Sequence, residues 1–110
     1  MSVVEKAIAW ALRIANDPTH GYDQTNRWGP DYDCSSFVIS AYKAAGLPLT
    51  ATYTGNMRDC LRAAGWQVLP SNTTLEPGDI LLNNLHHTAI YIVAIDFMLK
   101  LTLSRIILID

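Results

Sequence analysis

Two cysteines in 110 residues, with no regular spacing, are too few for a disulfide framework or a Cys-rich zinc site. Long apolar runs are missing as well. No stretch reaches the roughly 18 consecutive apolar residues of a membrane span. The apolar tail, residues 99–109, is short and is interrupted by Lys100 and Arg105. Positive charge is scarce and scattered: 8 Lys and Arg against 10 Asp and Glu give a net charge of −2 and a pI near 5.8. Phosphate backbones need basic clusters, so this balance argues against nucleic-acid binding. The opening Met-Ser-Val-Val-Glu-Lys has no basic n-region and no long apolar run. No secretory signal is therefore expected, and synthesis in the cytoplasm follows. Internal repeats and low-complexity segments are also absent.

What is present is a composition of 50% hydrophobic and 16% charged residues, which is globular rather than disordered. A chain of this length forms one domain, residues 1–110, with a modest core.

Ser2 followed by Glu5 is a capping box. Val3, Val4, Ala7, Ile8, Ala11, Leu12 and Ile14 or Ala15 then recur as one face of a helix, which Asn16-Asp17-Pro18 closes. A polar loop follows over residues 19–32, carrying His20, Tyr22, Trp28 and Tyr32. Loops this rich in aromatics line binding clefts; the competing reading is that Tyr22 and Trp28 anchor the loop to the core. After a second helix and a short loop, a third helix is expected over about 55–64, ending at Gly65, with Cys60 structural beside Met57, Leu61 and Ala64. Residues 66–69 form a short strand. Glu76-Pro77-Gly78-Asp79 is a turn into the apolar strand Ile80-Leu81-Leu82. Asn83-Asn84 then turns into residues 86–93, where His87, Ala89, Tyr91 and Val93 share one face. Helices first and strands afterwards predict an α+β domain with a small antiparallel sheet.

The second helix is the centre of the pattern. Asp33 is a good N-cap, and Phe37, Val38, Ala41 and Ala45 form the core-facing stripe up to the stop at Gly46 and Pro48. Cys34 is then the first helical residue. A thiolate there is favoured by the positive end of the helix dipole, which makes it nucleophilic. A cysteine on a helix is also commonly a small buried hydrophobe. The helix-start position, the flanking Ser35 and Ser36, and His87 far downstream favour the reactive reading, because Cys–His partners meet only in the fold.

Three ordered motifs carry a resemblance. Gly29-Pro30-Asp31-Tyr32-Asp33-Cys34-Ser35-Ser36-Phe37-Val38, then Leu75-Glu76-Pro77-Gly78-Asp79-Ile80-Leu81, then His87-Thr88-Ala89-Ile90-Tyr91-Ile92 resemble the NlpC-type family of papain-like cell-wall cysteine peptidases. The nearest likeness is to catalytic domains of phage and prophage endolysins. The motifs span most of the chain from Tyr22 to Ile92. The resemblance implies a papain-like α+β fold and hydrolysis of an amide bond in the peptide part of peptidoglycan. It implies Cys34 as nucleophile and His87 as base, His87 rather than His86 because Thr88-Ala89-Ile90-Tyr91 follows it directly. It implies Tyr22 beside the active site and Asp33 contacting a substrate amine; capping by Asp33 is an alternative compatible with that contact. Ser36 is a further candidate substrate contact. No cofactor and no metal are expected, since His86 and His87 would point to opposite faces of a strand. Release to the wall would come by lysis or holin-type export.

The tail departs from the family. Relatives carry a third polar residue, most often His, on the strand after the histidine strand, where it orients the imidazole. From about residue 93 this chain offers only Asp96 and Thr102, as if truncated or replaced. An apolar last strand without a partner would be an exposed edge, and self-association or a path across the sheet is the expected outcome. Two alternatives to the endopeptidase stand: an N-acetylmuramoyl-L-alanine amidase on the same fold, and a catalytically degenerate wall-binding module.

Overall fold

The computed structural model describes residues 2–83, 85, 87–92 and 105–109. Helix α1 (Val3–Ala15) starts with the expected reciprocal cap: the Ser2 hydroxyl accepts from the Glu5 N–H and the Glu5 carboxylate from the Ser2 N–H, each at 3.1 Å. It buries Val4, Ala7 and Ala11. Helix α2 (Cys34–Ala44) buries Val38 and Ala41 of the expected stripe and adds Ile39 and Tyr42, while Phe37 stays half-buried. It stops at Gly46, whose φ of +100° is the left-handed turn that ends helices without a Cβ penalty. Helix α3 (Thr54–Ala63) begins one residue earlier than expected and buries Met57 and Leu61. Cys60 on it is half-buried, its Sγ 3.5 Å from the Thr50 hydroxyl, while Ala64 is exposed rather than buried.

Four strands complete the α+β domain: β1 (Gln67–Leu69), β2 (Ile80–Asn83), β3 (His87–Ile90) and β4 (Arg105–Leu108). Their order across the sheet is β1-β4-β2-β3. Only β2 and β3 pair antiparallel, from Ile80 opposite Ile90 to Asn83 opposite His87. β4 runs parallel to both β1 and β2, so the sheet is mixed and not antiparallel as the order of elements suggested. The apolar end of the chain is therefore no edge. It lies inside the sheet, hydrogen-bonded on both sides, with Ile106 and Ile107 fully buried. Consecutive apolar residues mark a strand covered on both faces, which is why it does not alternate. That placement removes the exposed-edge reason for expecting self-association.

A buried ion pair ties the last strand to the turn before β2. Asp79 is fully buried, and its two carboxylate oxygens accept from Arg105 Nε and Nη2 at 3.1 and 2.9 Å. Arg105 Nη2 also donates to the Thr74 carbonyl at 2.8 Å, and Asp79 accepts from the Glu76 N–H at 2.7 Å. Two backbone bonds, Gly78 N–H to Tyr91 O at 2.7 Å and Tyr91 N–H to Asp79 O at 2.8 Å, extend the β2–β3 ladder past its named ends. The Tyr42 hydroxyl reaches the Gly78 carbonyl at 2.5 Å from α2, with its ring edge-on to Trp66. Burial, helped by the Asp79 charge, pushes the Tyr42 phenol far above its ordinary value. Gly78 itself has φ +90°, and a Cβ there would collide with Val4 Cγ1 of α1. Helices α1 and α2 pack together, and α2 packs on β3. The start of α2 thereby faces the histidine strand.

Candidate active site

The sequence makes the start of α2 a capped turn. Asp33 has extended backbone and its carboxylate accepts from the Ser36 N–H at 2.8 Å. The Ser36 hydroxyl accepts in return from the Asp33 N–H at 2.9 Å. This reciprocal bond satisfies the donors a helix start leaves open. It fixes Cys34 as the first residue of α2, partly buried and unpaired with Cys60.

A cleft of about 390 Å³ opens over that residue. Cys34 and His87 both line it, as do Tyr22 and Asp33. Its apolar wall comes from α1 through Ile14 and Ala15, from α2 through Phe37 and Val38, and from β3 through Ala89 and Ile90. Ser36, a candidate substrate contact, is fully buried; its hydroxyl is taken by the cap and it does not line the cleft. Cys60 lies outside the cleft as well. Asp96 and Thr102, the candidates for orienting the imidazole, fall outside the described residues, as do His86 and Val93.

The loop over residues 19–32 is held at many points. His20 Nδ1 lies 2.5 Å from the Pro30 carbonyl, and its Nε2 is 3.6 Å from Asp17 at the end of α1. Asp31 accepts from the Gly21 N–H at 2.8 Å, and the Tyr32 N–H donates to Gly21 O at 3.0 Å. Tyr32 anchors the loop to the core, its ring packed against Trp10 at 5.5 Å and Phe37 at 6.2 Å. Trp28 and Tyr22, read from sequence as either anchors or cleft residues, divide. Tyr22 stands 67% exposed on the cleft, whereas Trp28 lies off it beneath the Arg27 guanidinium. His20 is a cleft residue that sequence reasoning did not single out; its only signal was company with aromatics in a polar loop.

Arg27 was also passed over. Its Nη1 donates to both Asp33 oxygens at 3.2 and 3.4 Å and to the Ser35 hydroxyl at 3.0 Å, while Nη2 donates to the Thr52 carbonyl. Burial opposes charge on Asp33. The hydrogen bonds from Ser36 and Ser35, with the Arg27 charge, outweigh that burial and hold the carboxyl below its ordinary value. The cleft floor thus combines a helix-start cysteine, an ionised cap, and a histidine from the sheet.

The endolysin-like domain family model matches residues 1–95 of the chain. Comparison with curated proteins and with solved structures gave no match. Among the described residues, no helix is long and apolar enough to cross a membrane.

Proposed function

The chain belongs to the endolysin-like domain family, and from that premise we propose that it is a phage or prophage peptidoglycan hydrolase of the cysteine peptidase class, similar to the NlpC-type enzymes. Membership of an endolysin-like family fits a protein that acts on the bacterial cell wall. The observation that carries the finer reading is the shared cleft: Cys34 at the start of α2 and His87 on β3 line the same 390 Å³ space. No other cysteine among the described residues lies there.

In this reading His87 takes the Cys34 proton, and the thiolate adds to the carbonyl carbon of an amide in the stem peptide. The carbonyl π electrons move to oxygen. The Cys34 backbone N–H, at the helix N-terminus, donates to that oxyanion. Collapse of the tetrahedral intermediate breaks the C–N bond, and His87 protonates the departing amine. Water then attacks the thioester, releasing the acid and restoring the thiol. Tyr22, exposed at the cleft, is positioned for substrate contact, and the apolar walls from α1 and α2 receive the aliphatic parts of the peptide.

The test is mass spectrometry of muropeptides released from purified peptidoglycan by wild type and by Cys34→Ala. Release by wild type alone supports the thiol mechanism, and the fragment masses tell an endopeptidase from an N-acetylmuramoyl-L-alanine amidase. Equal release by both proteins would sink the Cys34 mechanism. Release by neither, from walls of several species, would favour a wall-binding module.

A further inference from the structure

We propose that Arg27 is a positioning residue for the nucleophile: it balances the Asp33 carboxylate so that a second negative charge can form beside it on Cys34. This rests on the reading of Cys34 as the reactive thiol. The problem it answers is visible in the sequence. Asp33 must be a good cap to start α2, and the best caps include a carboxylate. Yet a carboxylate adjoining a reactive cysteine in a sheltered cleft opposes the thiolate, because like charges in low dielectric repel strongly.

The geometry places the compensating charge where it is needed. Arg27 is not a loose surface side chain: it is 16% exposed, and Asp33 is 14% exposed. Its guanidinium is gripped by Asp33, by the Ser35 hydroxyl one residue beyond Cys34, by the Thr52 carbonyl, and by the Trp28 ring 4.7 Å away. A guanidinium held by a hydroxyl on one side of Cys34 and a carboxylate on the other cannot swing away without breaking several contacts. The Thr52 N–H is engaged elsewhere: it donates to the Asn56 side-chain oxygen at 2.9 Å, at the start of α3.

The other groups around Cys34 do not take this role. From α1 the cleft receives Ile14 and Ala15, which carry no charge. From the loop come His20, Tyr22 and Tyr32, and from β3 come His87 and the uncharged Thr88, Ala89 and Ile90. His20 is engaged with Pro30 and Asp17, and Asp31 with the Gly21 N–H. Among the described residues, Arg27 is the permanent cation in contact with the Asp33–Ser35 turn.

The test is the pH profile of Cys34 alkylation by iodoacetamide, followed by peptide mass mapping so that Cys60 is read separately. Wild type, Arg27→Gln, Arg27→Lys, Asp33→Asn and the double variant Arg27→Gln with Asp33→Asn are compared, with circular dichroism confirming the fold of each. In Arg27→Gln the midpoint moves to higher pH. Asp33→Asn keeps a capping side chain and moves the midpoint to lower pH, while the double variant returns towards wild type. Arg27→Lys keeps the charge and stays close to wild type. A structural brace alone would lower stability without moving these midpoints and would not be rescued by Asp33→Asn. An unmoved midpoint in folded Arg27→Gln overturns the proposal. If Arg27→Gln fails to fold, an unmoved midpoint in Asp33→Asn overturns it equally. Alkylation needs no substrate, so failure to release muropeptides would count against the hydrolase reading and leave this result standing.

Discussion

Asp79–Arg105 and Asp33–Arg27 are the same chemical pair set in two different regions, and they do different things. Asp79 is completely buried and takes Arg105 through two nitrogens, across 26 positions of sequence. Asp33 keeps 14% exposure and takes Arg27 through one nitrogen, across 6 positions. The first joins the turn before β2 to the last strand and closes the sheet. The second joins a loop to the start of α2 and borders the cleft. Burial and geometry set what a pair contributes to stability; its neighbours set whether it matters to chemistry.

The largest effect follows from burial. Removing one partner of a buried pair leaves an uncompensated charge and costs about 3–5 kcal/mol. Arg105→Gln is expected to lose that much, which for a domain of this size is a large part of its total stability. The matched change Arg27→Gln leaves Asp33 with its cap hydrogen bonds and some access to water, so its cost is smaller, about 1–2 kcal/mol. Urea denaturation of the two variants side by side checks the contrast. Equal losses would erase the distinction between a fold-closing pair and a site-bordering one.

The turn that carries Asp79 supplies a second contrast. Gly78→Ala adds a left-handed strain and drives a Cβ into Val4, for an expected cost of about 2–4 kcal/mol. Gly46, at the end of α2, has a similar φ of +100° but open space around it, so Gly46→Ala carries the strain alone, about 1 kcal/mol. Thermal midpoints that fall equally would show that close packing of α1 on the turn is unimportant.

Sequence legibility follows the same division. The site region is local, and local rules read it well: Ser2 with Glu5 announces α1, Asp33 announces α2, and Gly46 announces its end. The hairpin of β2 and β3 was readable from Pro77-Gly78-Asp79 and from the β-rich run after it. Cys34 and His87 were singled out from motif order, which survives where distance in sequence does not, and both line the cleft. What was not readable is long-range. Nothing in Arg105-Ile106-Ile107-Leu108 says that these residues enter between β1 and β2, or that Arg105 is the counter-ion of Asp79 rather than an interruption. Arg27 escaped for another reason. A polar loop has no period, so its side chains give no sign of which one turns inward.

The cap of α2 gives a smaller effect. Asp33→Ala removes the bond to the Ser36 N–H and is expected to cost about 1 kcal/mol, whereas Asp33→Asn retains a capping side chain and loses less. Chemical denaturation at pH 7 measures both. An Asn variant as unstable as Ala would mean that charge, not hydrogen bonding, starts this helix.

Acid titration sharpens that last point. Burial alone would raise the Asp33 carboxyl, but hydrogen bonds from Ser36 and Ser35 and the Arg27 charge bring it below its ordinary value of 3.8. A carboxyl depressed in the folded state contributes stability that is fully present above its unfolded value and is lost as pH falls through the folded one. The difference in stability between wild type and Asp33→Asn is therefore constant above about pH 5 and shrinks below about pH 4. Glu5 and Asp17, whose carboxyls are also lowered by hydrogen bonds from Ser2 and Thr19, titrate in both proteins and cancel in the difference. Urea midpoints taken from pH 7 down to the acid limit of folding trace the curve. A difference that stays constant through the acid range would mean that the ionised carboxylate gives the α2 start nothing beyond what the protonated acid gives. Arg27 would then be left without an energetic partner in Asp33, and the site-bordering pair would reduce to a contact of geometry alone.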